Sequence, residues 1–267
     1  MVISLINDCS DANAFGRITA RVGSLFPGST INKVALHNYS DLEAAGNLID
    51  IIDGYGEEEG VIIVNAAPRH GSAKKWDNGT PFGWFKYKKL LIVTTVDGLT
   101  LSLAKQFGLI EKYYVTDIPT VMKFVVKEGL LPEDMIDYIS RTQFRSFDYE
   151  PRLAKWIYDG IAIPATEHNL DEIPATGGKV WLIDNFGNAK TTLVPSELKL
   201  EAGKTYKTSL GDIPYYDRLK DVPDGELAII QGSSGLGDKR FLEVTIQGKD
   251  VGVAFNLKVG SEIEILK

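Results

Sequence analysis

Apolar positions follow two rhythms along the chain, and the change between them divides it. In the first part, short apolar runs at 2–6, 30–36, 60–65 and 89–95 each stop at a polar or turn-forming group. These groups are Asn7-Asp8, His37-Asn38, Asn65 and, after Val96, Asp97-Gly98. Runs of this length with such endings read as buried strands. Stretches at 14–25, 40–52 and 99–107 carry apolar residues three and four apart, which reads as helix. Ser40 with Glu43 three residues on makes a capping-box pattern. A short strand at 113–116, a helix opened by Pro132-Glu133-Asp134, a mixed aromatic and charged loop at 144–151 and a helix at 152–160 follow. Alternation of this kind predicts an α/β fold with a mainly parallel sheet, whose ligand edge lies at the carboxyl ends of the strands.

The rhythm then shifts. Residues 164–178 hold two prolines, two glycines and mostly polar side chains, and read as a linker. Beyond them come short runs with turn signals at 180–183, 190–194, 205–210, 226–231, 241–246 and 262–266. These predict a small antiparallel β domain, a barrel. The expected layout is therefore an α/β/α domain over 1–163, a linker over 164–178 and a β-barrel domain over 179–267.

Composition narrows the function classes. The chain has 267 residues, 44% hydrophobic and 24% charged, with a net charge of −7. Nucleic acid is not an expected partner, because binding phosphate backbones needs a positive field. The single cysteine, Cys9, excludes an intrachain disulfide and a cysteine metal cluster, and His37, His70 and His168 show no metal-ligand spacing. No apolar run approaches the ~18 residues of a membrane span. The N-terminal residues lack a basic region and read as a first strand, so the expectation is a cytoplasmic protein without a membrane partner.

Candidate chemistry concentrates where the run Val180-Trp181-Leu182-Ile183 ends in Asp184-Asn185-Phe186-Gly187-Asn188. A carboxylate, an aromatic plane and an amide at a strand end can grip a sugar diol and stack a base. The same residues also suit a tight turn in which Asp and Asn satisfy local backbone groups. Asp8, His37 and Asn65 stand at the other strand ends, where ligand binding and helix capping are both open.

The run Ile183-Asp184-Asn185-Phe186-Gly187-Asn188, followed by Thr191-Thr192-Leu193, resembles the S-adenosyl-L-methionine hydroxide adenosyltransferases, a family that includes the fluorinases and chlorinases. Weaker matches follow in the same order as in that family. They are Asn7-Asp8, His37 with Asp41, Val96-Asp97-Gly98-Leu99-Thr100, Phe144-Arg145-Ser146, Asp224-Gly225-Glu226 and Gly232-Ser233-Ser234-Gly235. The resemblance implies an N-terminal α/β/α sandwich, a C-terminal β-barrel and a homotrimer with its site between neighbouring subunits. S-adenosyl-L-methionine would be substrate or ligand, with no separate cofactor. Asp8 would hold the ribose hydroxyls, Phe186 would pack on the nucleoside, and Asp184, Asn188 and Ser233 would bind the amino-acid end. Ser146 would stand near the reacting carbon.

The chain departs from the family where water would be activated. Ala67-Pro68-Arg69-His70-Gly71 replaces an Asp-led run, Arg145 stands at a histidine position, and Leu219 stands at an aromatic one. An alanine methyl neither accepts a proton nor orients water. His70 is then the candidate base, with Arg69 or Arg145 as anion holder. Two expectations follow: cleavage of S-adenosyl-L-methionine to adenosine and L-methionine by water at the ribose 5′ carbon, or a catalytically inactive nucleoside binder of the same fold.

Overall fold

The computed structural model describes residues 1–69 and 79–266, in a mixed α/β fold with two large sheets of seven and six strands. The chain forms two units, Met1–Ala44 with Tyr55–Pro174, and Ala45–Gly54 with Ala175–Lys267. No helix among the described residues is long and apolar enough to cross a membrane.

In the first unit, β1 (Val2–Asn7) leads into α1 (Ala12–Leu25), whose N-cap Asp11 accepts from the N–H groups of Asn13 and Ala14. Phe15, Ile18 and Val22, spaced three and four apart, form the buried stripe of α1. There follow β2 (Thr30–Ala35), α2 (Asp41–Tyr55, of which Ala45–Gly54 belongs to the second unit), β3 (Gly60–Asn65), β4 (Phe82–Tyr87), β5 (Leu90–Thr95), α3 (Ser102–Gln106) and β6 (Tyr113–Val115). Then come α4 (Ile118–Lys127), α5 (Met135–Ser140), α6 (Arg145–Asp148), α7 (Glu150–Tyr158) and β7 (Thr166–His168).

The sheet runs β2-β1-β3-β5-β4-β6-β7. Its first four strands are parallel; β4, β6 and β7 extend it antiparallel. The parallel half is the one the apolar runs predict, and β3 and β5 are buried along their whole length. Each fully buried Ile or Val there contributes about 1.5–3 kcal/mol relative to exposure. The antiparallel half departs from the expected mainly parallel sheet. Strand β4 pairs with β5 through a turn at Lys88-Lys89, where Lys88 takes φ +51° without the Gly or Asn that usually marks such a turn. Strand β7 lies within the stretch that reads as a linker and pairs with β6.

The second unit holds β8 (Val180–Ile183), β9 (Ala189–Thr191), α8 (Pro195–Leu198), β10 (Thr205–Thr208), β11 (Gly211–Tyr216), β12 (Leu227–Leu236), β13 (Lys239–Ile246) and α9 (Val251–Ala254). Its sheet runs β10-β11-β12-β13-β9-β8. All pairs are antiparallel except β11 with β12, a departure from a purely antiparallel domain. Trp181 is fully buried there, with Phe241 tilted against it at 5.8 Å between centroids. Gly46 of α2 abuts that indole, and a Cβ there would lie 2.2 Å from ring atoms.

Candidate functional site

In the first unit the chain steps from β1 to β2 on one side and returns to β3 on the other, so the strand order reverses between β1 and β3. The crevice at the carboxyl end of such a reversal is where open α/β sheets bind ligands. Asp8 sits there. Its N–H donates to the Asn65 carbonyl at 3.0 Å, fixing the two strand ends together. Its carboxylate accepts from Asn65 Nδ2 at 2.9 Å and from the Ala67 N–H at 3.0 Å. Burial pushes the Asp8 carboxyl above its usual range, and the Ala67 N–H, with the neighbouring Tyr39 and Asp8 backbone and the Cys9 side chain, pulls it back down. Asn7 completes the corner, its Oδ1 accepting from the Cys9 N–H at 2.8 Å and from Asn65 Nδ2 at 3.0 Å.

Asp8 opens onto a cavity of about 330 Å³ lined by Cys9, Asn38, Tyr39, Asn65, Ala67, Arg69, Thr80, Phe82, Thr95, Gln143, Phe144, Arg145 and Ser146. That volume is at the lower end of small-molecule pockets, about 300 Å³. Arg145 reaches it from the start of α6, donating from its guanidinium to the Thr80 carbonyl at 2.9 Å and lying 5.7 Å from the Phe82 ring centroid. Gly79, at φ +73°, lets this happen, since a Cβ there would lie 2.2 Å from the guanidinium. Arg69 lies over the Tyr39 ring at 4.6 Å. Ser146 is buried, with its Oγ 4.0 Å from the Cys9 sulfur. Burial, then the Asp8 charge, raises the Cys9 thiol, so it stays protonated at neutral pH and is no activated nucleophile.

Sequence reasoning missed Glu150, the first residue of α7. Its side chain is 0% exposed, and neither carboxylate oxygen has a hydrogen-bond partner. Burial, then the Asp8 charge, pushes its carboxyl well above the usual range, while Arg145 acts the other way. The available signal was Pro151 beside it, since proline favours the first helical turn.

His37 does not line the cavity: its side chain is 83% exposed and its Nδ1 meets Glu43 at 3.2 Å. Asp97 lines a separate cavity of about 230 Å³ with Tyr113, His168 and Glu172. His70, with Lys74 and Lys75, lies outside the described residues. No group of three or more His, Cys, Asp or Glu among the described residues could hold a metal ion.

In the second unit the Asp184 corner is a closed turn. Asp184 Oδ1 accepts from the N–H groups of Phe186 and Asn188, both at 2.9 Å, and Oδ2 accepts from Asn188 Nδ2 at 3.1 Å. The Asn188 side-chain oxygen accepts from the Thr245 hydroxyl. Gly187, at φ +84°, leaves no room for a side chain, because a Cβ would lie 2.4 Å from the Asp250 backbone. The Phe186 ring stands outside this network, with the residue 75% exposed. Ser233 lies on the irregular stretch of β12, exposed, its carbonyl accepting from Arg240. Burial raises the Glu243 carboxyl, Lys190 draws it back, and Asp184 raises it further.

No family model and no curated protein matches the chain. Among solved structures it is similar to an uncharacterized conserved protein from Thermotoga maritima, with a TM-score of 0.67 and 16% identity over 100% of both chains. It is likewise similar to a conserved hypothetical protein from Thermus thermophilus, with a TM-score of 0.65 and 19% identity over 99% of both. At these identities what is shared is the fold.

Proposed function

We propose that the cavity beside Asp8 binds an adenine nucleoside, adenosine or S-adenosyl-L-methionine, and that this chain has little or no power to cleave it. The observation that carries this reading is the Asp8 carboxylate at the strand-order reversal, on the rim of a cavity of nucleoside size. A ribose hydroxyl donates to the Asp8 carboxylate in one charge-assisted hydrogen bond of about 1.5–3 kcal/mol. Low catalytic power follows from Ala67, which offers Asp8 a backbone N–H where the resembling family has a carboxylate. Loss of a general base lowers water attack by about 100- to 10,000-fold.

The finer architecture belongs to the same proposal: an α/β/α sandwich, a C-terminal β-barrel and a homotrimer. Closure into a barrel is supported by the C-terminal segment. Glu262 bridges to Lys179 beside one edge strand, β8, and Ile265 to Thr208 of the other, β10. In the trimer, Phe186 of a neighbour packs on the nucleoside, which accounts for an exposed ring on a rigid turn.

A second reading, hydrolysis, is favoured by Arg145 and Ser146 standing together at the cavity. A water oxygen would bond to the ribose 5′ carbon. The carbon–sulfur bond would break with its electron pair going to methionine sulfur, and the water proton would leave to solvent. Incubation with S-adenosyl-L-methionine, followed by chromatography for adenosine and methionine, separates the two. Binding without product supports the first reading; product abolished by Asp8→Ala supports the second.

A further inference from the structure

Two stretches of chain supply much of the lining of the cavity beside Asp8. Asp8 and Cys9 come from the junction of β1 and α1, and Gln143, Phe144, Arg145 and Ser146 come from the start of α6. The first stretch is held by the sheet. The second is not, because α6 has only four residues, too few to hold a helix by its own hydrogen bonds. Its place depends on side-chain contacts, and three of these come from α1.

Arg17 and Arg21 stand four residues apart on α1, and so on one face of it. The Arg17 guanidinium carbon lies 4.9 Å from the Phe144 ring centroid and 4.6 Å from that of Phe147. The Arg21 guanidinium carbon lies 4.4 Å from the Phe147 centroid. The two rings stack on each other at 5.5 Å, with 26° between their planes. All three guanidinium distances fall within the ~6 Å reach of cation–π attraction. Phe144 lines the cavity; Phe147, Arg17 and Arg21 are not among its described lining residues. Arg145 and Ser146 lie between the two rings in sequence, so both ends of this piece of wall are seated under α1. Helix α1 is itself fixed, through buried Phe15, Ile18 and Val22, and it begins three residues after Cys9.

The geometry points to Arg17, with Arg21, as positioning residues: their cation–π contacts with Phe144 and Phe147 hold the Phe144–Ser146 wall in place relative to Asp8. This rests on the nucleoside reading given above and adds to it what sets the width of the site. A cavity wall carried on a short helix needs such outside support to stay within the small tolerance of a binding geometry. Adenosine has no net charge, so a cation outside the lining acts on it through the wall.

The test is a calorimetric titration of adenosine into the unaltered full chain and into folded Arg17→Met, Arg17→Lys, Arg21→Met, Phe144→Leu and the Arg17→Met/Phe144→Leu double variant. Arg17→Met keeps the length of the side chain and removes the cation, and it is expected to weaken binding at least about threefold. Arg17→Lys retains a cation and is expected to stay within about twofold of the unaltered protein. Arg21→Met gives up one ring contact where Arg17→Met gives up two; its loss is about twofold, and it supplies the test if Arg17→Met does not fold. The double variant loses less than the product of the two single losses, because Arg17 acts through Phe144. A contact that only stabilised the fold would leave the affinity of the folded variants unchanged. If adenosine binds the unaltered protein, Arg17→Met and Arg21→Met equally, or Arg17→Lys loses as much as Arg17→Met, or the losses at Arg17 and Phe144 multiply, the inference is overturned and the nucleoside site stands. If adenosine does not bind the unaltered protein, the nucleoside reading falls and this inference with it.

Discussion

Asp8 and Asp184 are the same residue type, each following an apolar strand, and they do different work. Asp184 accepts hydrogen bonds from residues two and four positions along the chain. Its turn is closed, and Asn185 and Phe186 are its exposed residues. Asp8 accepts from residues 57 and 59 positions away, across a strand-order reversal and at the mouth of a cavity. A carboxylate satisfied by its own turn is structural. One that gathers donors from distant strands at the mouth of a cavity is placed to take a ligand hydroxyl as a further donor.

The contrast can be broken most forcefully at Gly187. Gly187→Ala puts a Cβ against the Asp250 backbone at an unfavourable φ, and we expect a loss of about 2–4 kcal/mol in chemical unfolding. A loss below about 1 kcal/mol would mean that the turn is not rigid.

Next in size is Glu150, the unsatisfied carboxyl of the open region. Its folded-state value stands above the ordinary 4.5, so the folded chain holds the proton more tightly. Its contribution to stability is whole below pH 4.5 and is lost as pH rises toward the folded-state value. Glu150→Gln removes this dependence. Its stability advantage over the unaltered protein should grow above pH 4.5 by up to about 1.4 kcal/mol per pH unit, read from unfolding at pH 5, 6 and 7. A difference independent of pH contradicts the burial of an unpartnered carboxyl.

Asp184→Ala removes the acceptor for two backbone N–H groups and one amide and should cost about 1–3 kcal/mol. Phe186→Ala, by contrast, should change stability by no more than about 0.5 kcal/mol. It should weaken nucleoside binding several-fold if the ring packs on a neighbour's ligand, a loss of about 0.5–1.5 kcal/mol of stacking. A large stability loss in Phe186→Ala would reverse the division drawn here between turn and ring.

Legibility in the sequence tracks the range of the interactions. The turn reading of Asp184 and Asn188 needs only five consecutive residues, and the turn is what forms. Strands β1, β3, β5 and β8 announce themselves as apolar runs with polar ends. Strand β4 does not, because its hairpin turns on Lys88 in place of glycine or asparagine. Helix α4 is absent from the expected elements although Asp117 caps it and Pro119 lies in its first turn, signals present in the sequence. At the site, Asp8 is visible as a strand-end carboxylate, but its partners Asn65 and Ala67 come from another strand and the loop after it. Glu150 is hidden more deeply. Nothing local to a charged residue beside Pro151 reveals that it is fully buried.

The central claim is that Asp8 holds a nucleoside at the β1/β3 reversal, and titration of adenosine into the unaltered protein and into folded Asp8→Ala tests it most directly. The account predicts saturable binding to the first and at least about a tenfold loss in the second, the worth of one charge-assisted hydrogen bond. Equal affinity in the two proteins would contradict it.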